Sequence, residues 1–200
     1  MSIESKKLKW SDLPEASELS QALEQEKYRE RYLKTLKSTI STLVVVAAIA
    51  ILTATLWLPV LQIYGNSMTP NLESGDMVVS VSAQKLRQGD VVAFYYNNKV
   101  LVKRVIATEG QWVDIDSQGT VSVDGQKLEE PYLADNEKDL GDTNIQLPYQ
   151  VPEGKFFVMG DYRGVSIDSR NTAIGSIGNE QIVGRLVLRV WPLNRIQWIK

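Results

Sequence analysis

Hydrophobic and polar positions divide the chain into three zones. From Ile40 to Leu58 the residues are Ile, Leu, Val, Ala, Ser, Thr and Trp, and no charge occurs between Lys37 and Glu73. Roughly 20 such residues, at about 1.5 Å each, match a hydrocarbon layer of about 30 Å. The pattern predicts a transmembrane helix, with Trp57 at the far interface and Pro59 as its stop. The apolar run starts too late and is too long for the core of a cleavable signal.

Beyond residue 60 the pattern changes to short β-branched and aromatic runs. Strands are expected at Met77–Val81, Asp90–Tyr96, Val100–Thr108, Gln111–Ile115, Thr120–Val123, Lys155–Met159 and Ile182–Trp191. Turn signals separate them, among them Asn97-Asn98 and Asp124-Gly125. The expectation is a mainly β catalytic or binding domain, a small sandwich or barrel. Residues 131–152 are the least regular and read as a surface excursion. Before the apolar run the chain is polar. Ser11-Asp12-Leu13-Pro14 has the form of a helix start, and Glu15 to Lys37 contains no Gly or Pro. Three domains follow: 1–38, a polar helical segment; 39–59, an anchor; 60–200, the β-rich domain.

Charge sets orientation. Lys27, Arg29, Arg31, Lys34 and Lys37 crowd the N-terminal flank, and the next basic residue after the span is Lys85. The positive-inside rule puts the N-terminus in the cytoplasm and the β-domain outside the cell membrane. The formal net charge of -2 gives no reason to expect nucleic acid as a partner.

Two absences narrow the chemistry. The chain has no Cys and no His. Thiol nucleophiles, Cys- or His-ligated metals and the Ser-His-Asp triad are therefore excluded, and any hydrolytic proton carrier is Lys, Tyr, Asp or Glu. No cofactor or metal site is expected. The acidic stretch Asp135, Glu137, Asp139, Asp142 has Leu140 where a calcium loop needs Gly, and reads as a solvated loop.

Three boxes carry candidate chemistry. Gly65-Asn66-Ser67-Met68-Thr69-Pro70 is a turn that can present a free hydroxyl. In Leu101-Val102-Lys103-Arg104-Val105-Ile106, Lys103 interrupts an apolar strand and shares a face with Leu101 and Val105. Burial there would lower the lysine pKa, and a neutral amine can take a serine proton. In Gly160-Asp161-Tyr162-Arg163-Gly164-Val165-Ser166-Ile167-Asp168-Ser169-Arg170, a strand runs into a dense set of Asp, Arg and Ser.

Together and in this order, the boxes resemble those of bacterial type I signal peptidases, serine–lysine enzymes that remove signal peptides from exported preproteins. The resemblance implies the signal-peptidase β-fold, shared with the autoproteases of SOS-type repressors, behind a single N-terminal anchor. It implies Ser67 as nucleophile, Lys103 as general base and Ser166 as the group that orients the lysine amine. Asp168 and Arg170 would pair as a structural wall. Ile63, Met68, Leu72 and Val102 would line pockets for small residues at -1 and -3. The oxyanion would be met by the Ser67 N–H and the Gly65 region, where some members carry a serine hydroxyl. The implied partners are signal peptides of secreted preproteins and the lipid bilayer. Two other readings compete: a catalytically silent relative acting as an assembly chaperone, and a tethered β-domain that binds by edge-strand pairing. Retention of all three boxes speaks against both, and the presence of Ser67 and Lys103 against the first in particular.

Overall fold

The computed structural model describes residues 15–57, 59–82, 85–133 and 137–199. The expected cap at Ser11-Asp12-Leu13-Pro14 lies outside the described residues, as does Asp135. The chain separates into two compact units, residues 1–54 and 55–200.

The first unit is helical. Helix α1 runs from Ala16 to Trp57 without a break, 42 residues, so the polar segment and the apolar run are one helix. Its length follows from composition: Leu, Glu, Gln, Lys, Arg and Ala dominate, and no Gly or Pro interrupts it. Its apolar part is long enough to cross a membrane, and its large side chains, such as Leu43, Val46 and Ile49, are exposed.

The second unit is built from twelve strands among the described residues, all antiparallel. They are β1 (Val60–Gln62), β2 (Met77–Val81), β3 (Val91–Tyr96), β4 (Lys99–Thr108), β5 (Trp112–Ile115) and β6 (Val121–Val123). Then come β7 (Gln126–Lys127), β8 (Tyr149–Gln150), β9 (Lys155–Met159), β10 (Ile177–Gly178), β11 (Ile182–Trp191) and β12 (Gln197–Trp198). The larger sheet has the order β1-β2-β11-β3-β4-β9-β10, with β12 added beside β11, and the smaller has β7-β6-β5-β8. The mainly β expectation therefore holds.

The central strand shows why. In β3 every residue from Val91 to Phe94 is buried, and the alternate sides enter different cores: Val91 and Ala93 one, Val92 and Phe94 another. A strand covered on both faces needs this continuous apolar run. Its hairpin to β4 turns at Asn97 and Asn98, both at positive φ (44° and 62°). That geometry matches strand twist, and Asn tolerates it better than most residues. A third core joins the small sheet to the far ends of β4 and β9 through Ile106, Val113, Val121 and Phe157.

Residues 131–152 are more than a surface excursion. Leu140, Ile145, Leu147 and Tyr149 pack on that third core, and the Asp139 and Leu140 carbonyls accept from Arg170 at 3.2 and 2.9 Å. Without periodicity, this packing is invisible in the sequence.

Candidate active site

The three boxes meet at one place. The first is a turn after β1, where Gly65 (φ +86°) adopts a conformation that side-chain-bearing residues rarely take. This turn leaves Ser67 half-buried and sends Met68 inward to a core position, 2% exposed. Among the described residues, the backbone N–H groups of Gly65 and Ser67 have no hydrogen-bond acceptor. The Ser67 carbonyl is held by the Tyr162 N–H at 3.0 Å, which ties the first box to the third.

Gly160 is the hinge of that contact. A Cβ there would lie 2.3 Å from Ser166 Oγ and 2.5 Å from the Ser67 carbonyl oxygen. Both serines thus pack against the same bare Cα, a closeness only glycine permits. Ser166 Oγ donates to Asp168 Oδ2 at 2.6 Å. The sequence reading pairs Ser166 with Lys103, whereas the hydroxyl proton goes to Asp168. What remains on Ser166 is acceptor capacity alone.

Asp168 is the keystone of this wall. It accepts from Gly160 N, Ser166 Oγ, Arg170 N, Arg170 Nε and Arg170 Nη2, at 2.9, 2.6, 3.2, 2.8 and 2.9 Å. Burial alone would raise its pKa, but hydrogen bonds and charge from Arg170, with Ser166 and Gly160, hold it below the usual carboxylate range. Arg170 also donates to the carbonyls of Arg163 and Ser166, so its guanidinium is fully engaged.

The second box lies on β4. Lys103 is 3% exposed and pairs in register with Val92. Leu101 and Val105 sit in the same apolar cluster as Val92, as period two requires. Burial pushes the Lys103 pKa from 10.5 down to about 8; Asp168 and Asp161 pull it up, and Arg170 adds to the lowering. The charges of the third box therefore act directly on the amine. No side-chain hydrogen bond occupies Ser67 Oγ or Lys103 Nζ among the described residues.

A second set of contacts locks the boxes together, and sequence reasoning missed most of it. Arg104 forms a two-pronged pair with Asp161 (2.9 and 2.7 Å), and its guanidinium stacks 3.9 Å from the Tyr132 ring centre. Asn71, in the Ser67 loop, donates to the same Asp161 at 2.9 Å and to the Tyr132 carbonyl. Arg163 pairs with the buried Glu130 and donates to the Gly160 carbonyl at 3.1 Å. Nothing in the spacing of Asn71, Glu130 or Tyr132 signals these roles, because each partner is distant in sequence.

Beside Ser67 lies a cavity of about 590 Å³, lined by residues 61–65, Ser67 and Met68 on one side and 99–102 on the other. Ile63, Met68 and Val102 line this cavity. Leu72 does not: it is 1% exposed and packs behind that wall, with Ile63 and Met68. Trp191 and Trp198 are 50% and 70% exposed, so neither is a core residue.

Comparison with known proteins gives the family. The model of the family described as "Signal peptidase, peptidase S26" matches residues 36–191. The chain belongs to the signal peptidase family. Signal peptidase IB of Staphylococcus aureus (strain MRSA252) is 38% identical over 154 residues, covering 68% of this chain and 79% of that protein. Signal peptidase I of Bacillus licheniformis is 34% identical over 144 residues, covering 66% and 76%. A crystal structure of a signal peptidase I from Enterococcus faecalis V583 overlays 52% of this chain and 99% of that one at 29% identity, with a TM-score of 0.44. Membership in the signal peptidase family brings the coarse activity with it, hydrolysis of signal peptides by a serine peptidase.

Proposed function

We propose that this protein is a membrane-anchored endopeptidase that cleaves signal peptides from exported preproteins with a Ser67–Lys103 dyad. The observation that carries the proposal is a buried lysine with a pKa near 8, set among the charges of the Ser166–Asp168–Arg170 wall that packs against the Ser67 loop. An ordinary lysine is almost wholly protonated at neutral pH and is no base; with a pKa of about 8, roughly a tenth is neutral at pH 7.

The steps follow from the groups present. The neutral Lys103 amine takes the Ser67 proton as Oγ adds to the scissile carbonyl. The resulting oxyanion meets the Ser67 N–H and the N–H groups of the Gly65 turn, which have no acceptor of their own. The lysine ammonium returns its proton to the leaving amine, and water then hydrolyses the acyl-serine by the same route. Ser166, its proton committed to Asp168, is left as an acceptor that an N–H of Lys103 would meet as substrate binds, which would turn the amine lone pair toward Ser67. Asp168 and Arg170 hold that wall. Ile63, Met68 and Val102 shape a cleft that admits small residues at -1 and -3 and rejects large ones by overlap, with Leu72 as backing.

The domain scheme fits this task. Residues 39–59 span the cell membrane, residues 1–38 lie in the cytoplasm and residues 60–200 form the external catalytic domain. Ser67 follows Pro59 by eight residues, about 28 Å at full extension, which keeps the nucleophile within reach of the interface where a signal peptide presents its cleavage site. The exposed Trp191, Leu193, Ile196 and Trp198 suit contact with lipid headgroups.

The test is cleavage of one exported precursor, with the new N-terminus sequenced. Ser67→Ala and Lys103→Arg should each abolish processing while the domain stays folded, since a guanidinium does not give up its proton. Near-wild-type cleavage by either variant, free of host enzyme, would sink the dyad. In the same cells, protease added to spheroplasts should digest the β-domain and spare the residues before Lys37; the opposite pattern refutes the orientation.

A further inference from the structure

The cleft beside Ser67 carries one charge, and it sits at the end away from the nucleophile. Among the residues that line the cavity, Lys99 is the one basic or acidic side chain. Lys99 is exposed, and among the described residues it has no ion-pair partner. Its position is set by the hairpin: Asn97 and Asn98 make the turn, and Lys99 opens β4 opposite Tyr96.

The strand edges give the direction in which a substrate must lie. Strand β4 pairs with β9 only from Arg104 onward, so the edge from Lys99 to Lys103 is free on that side. Strand β1 ends the sheet, and its outer edge is free as well. The order β1-β2-β11-β3-β4 with every pair antiparallel makes β1 and β4 run the same way, both toward the catalytic groups. An extended peptide laid between these edges can pair with both, and its side N-terminal to the scissile bond fills the cavity. Lys99 precedes Lys103 by four residues, about 13 Å along an extended strand. A substrate of the same rise, with its scissile bond at Ser67, reaches Lys99 four to five residues upstream.

We propose that Lys99 is a specificity-determining residue that reads the charge of the substrate at positions -4 and -5. It favours a carboxylate there and disfavours Lys or Arg. This rests on the cleavage reading above and adds an electrostatic element to a cleft otherwise selective by shape. The pair is solvent-exposed, so its effect is modest and screened by salt.

The experiment uses the full-length protein in neutral detergent and three versions of one precursor, with Glu, Gln or Lys at both positions -4 and -5. For each enzyme, the ratio of kcat/KM between the Glu and Lys substrates is read; the amount of active enzyme cancels in it. The wild type should prefer Glu over Lys by about fivefold, mainly through KM. Lys99→Gln should bring the ratio close to one, and Lys99→Glu should invert it. High salt should flatten all three ratios. An unchanged ratio in Lys99→Glu overturns the proposal and leaves the protease reading intact, because all three precursors are still cut. A flat wild-type ratio overturns it too. No cleavage of any precursor by the wild type overturns both.

Discussion

Replacing Lys103 by methionine should remove activity and, at neutral pH, make the protein more stable. Lys103 is 3% exposed, and burial pushes its pKa from 10.5 down to about 8. Between those values the unfolded chain holds a proton that the folded one has released. Stability therefore rises with pH across the interval. Below pH 8 the folded state bears the full burden of a buried ammonium; above pH 10.5 the amine is neutral in both states and the burden is gone. The interval of about 2.5 pH units, at about 1.4 kcal/mol each, corresponds to about 3 kcal/mol. Methionine has similar length, fills irregular apolar space and carries no charge. The assay is urea unfolding of wild type and Lys103→Met in detergent, followed by tryptophan fluorescence at pH 7 and again at pH 10.5. The stability difference between the two proteins should shift against the variant by about 3 kcal/mol as pH rises. Other titrating groups are common to both and cancel. A difference independent of pH would mean that Lys103 titrates alike in the folded and unfolded chain, and the neutral-amine base would lose its physical ground.

Three further outcomes are expected. In single-turnover assays, activity should rise about tenfold from pH 7 to pH 9, through one limb centred near 8, as the base loses its proton; a limb near pH 4–5 would point to a carboxylate instead. Gly160→Ala drives a methyl group to 2.3 Å from Ser166 Oγ and 2.5 Å from the Ser67 carbonyl, about 1 Å inside contact, and should lower kcat/KM about 100-fold; unaltered kinetics would mean the two serines do not meet there. Asp168→Ala leaves the buried Arg170 guanidinium without its carboxylate and should destabilise the domain by about 3–5 kcal/mol in urea unfolding; an unchanged midpoint with lost activity would make Asp168 a direct participant in catalysis.

Much of this protein is legible in local sequence because the relevant physics is local. The seven expected strands each exist, with ends moved by at most one residue, since a half- or fully buried strand of several residues must show its period-two or continuous apolar pattern. The β3–β4 and β6–β7 turns were marked by Asn97-Asn98 and Asp124-Gly125, residue types that tolerate the positive φ those turns need. The absence of His and Cys narrowed the chemistry before any geometry was known. The apolar neighbours of Lys103 on the strand allowed either burial or a side chain reaching out from an edge strand, and the fold buries it.

What only the tertiary structure decided depends on contacts between residues far apart in the chain. The short strands β7, β8, β10 and β12, two residues each, have no period to display and exist because a longer neighbour offers an edge. Asn71, Asp161, Arg104 and Tyr132 come from four separate segments and become one lock only when the sheet closes. Ser166 looks free to serve the lysine until Asp168 is seen to take its proton. Leu72 and Val102 are both apolar and both near a box, yet one backs the cleft and the other faces it. Composition and periodicity say which side chains must be buried; only the closed fold says against which partner, because burial is a property of a strand's face and a hydrogen bond is a property of two atoms.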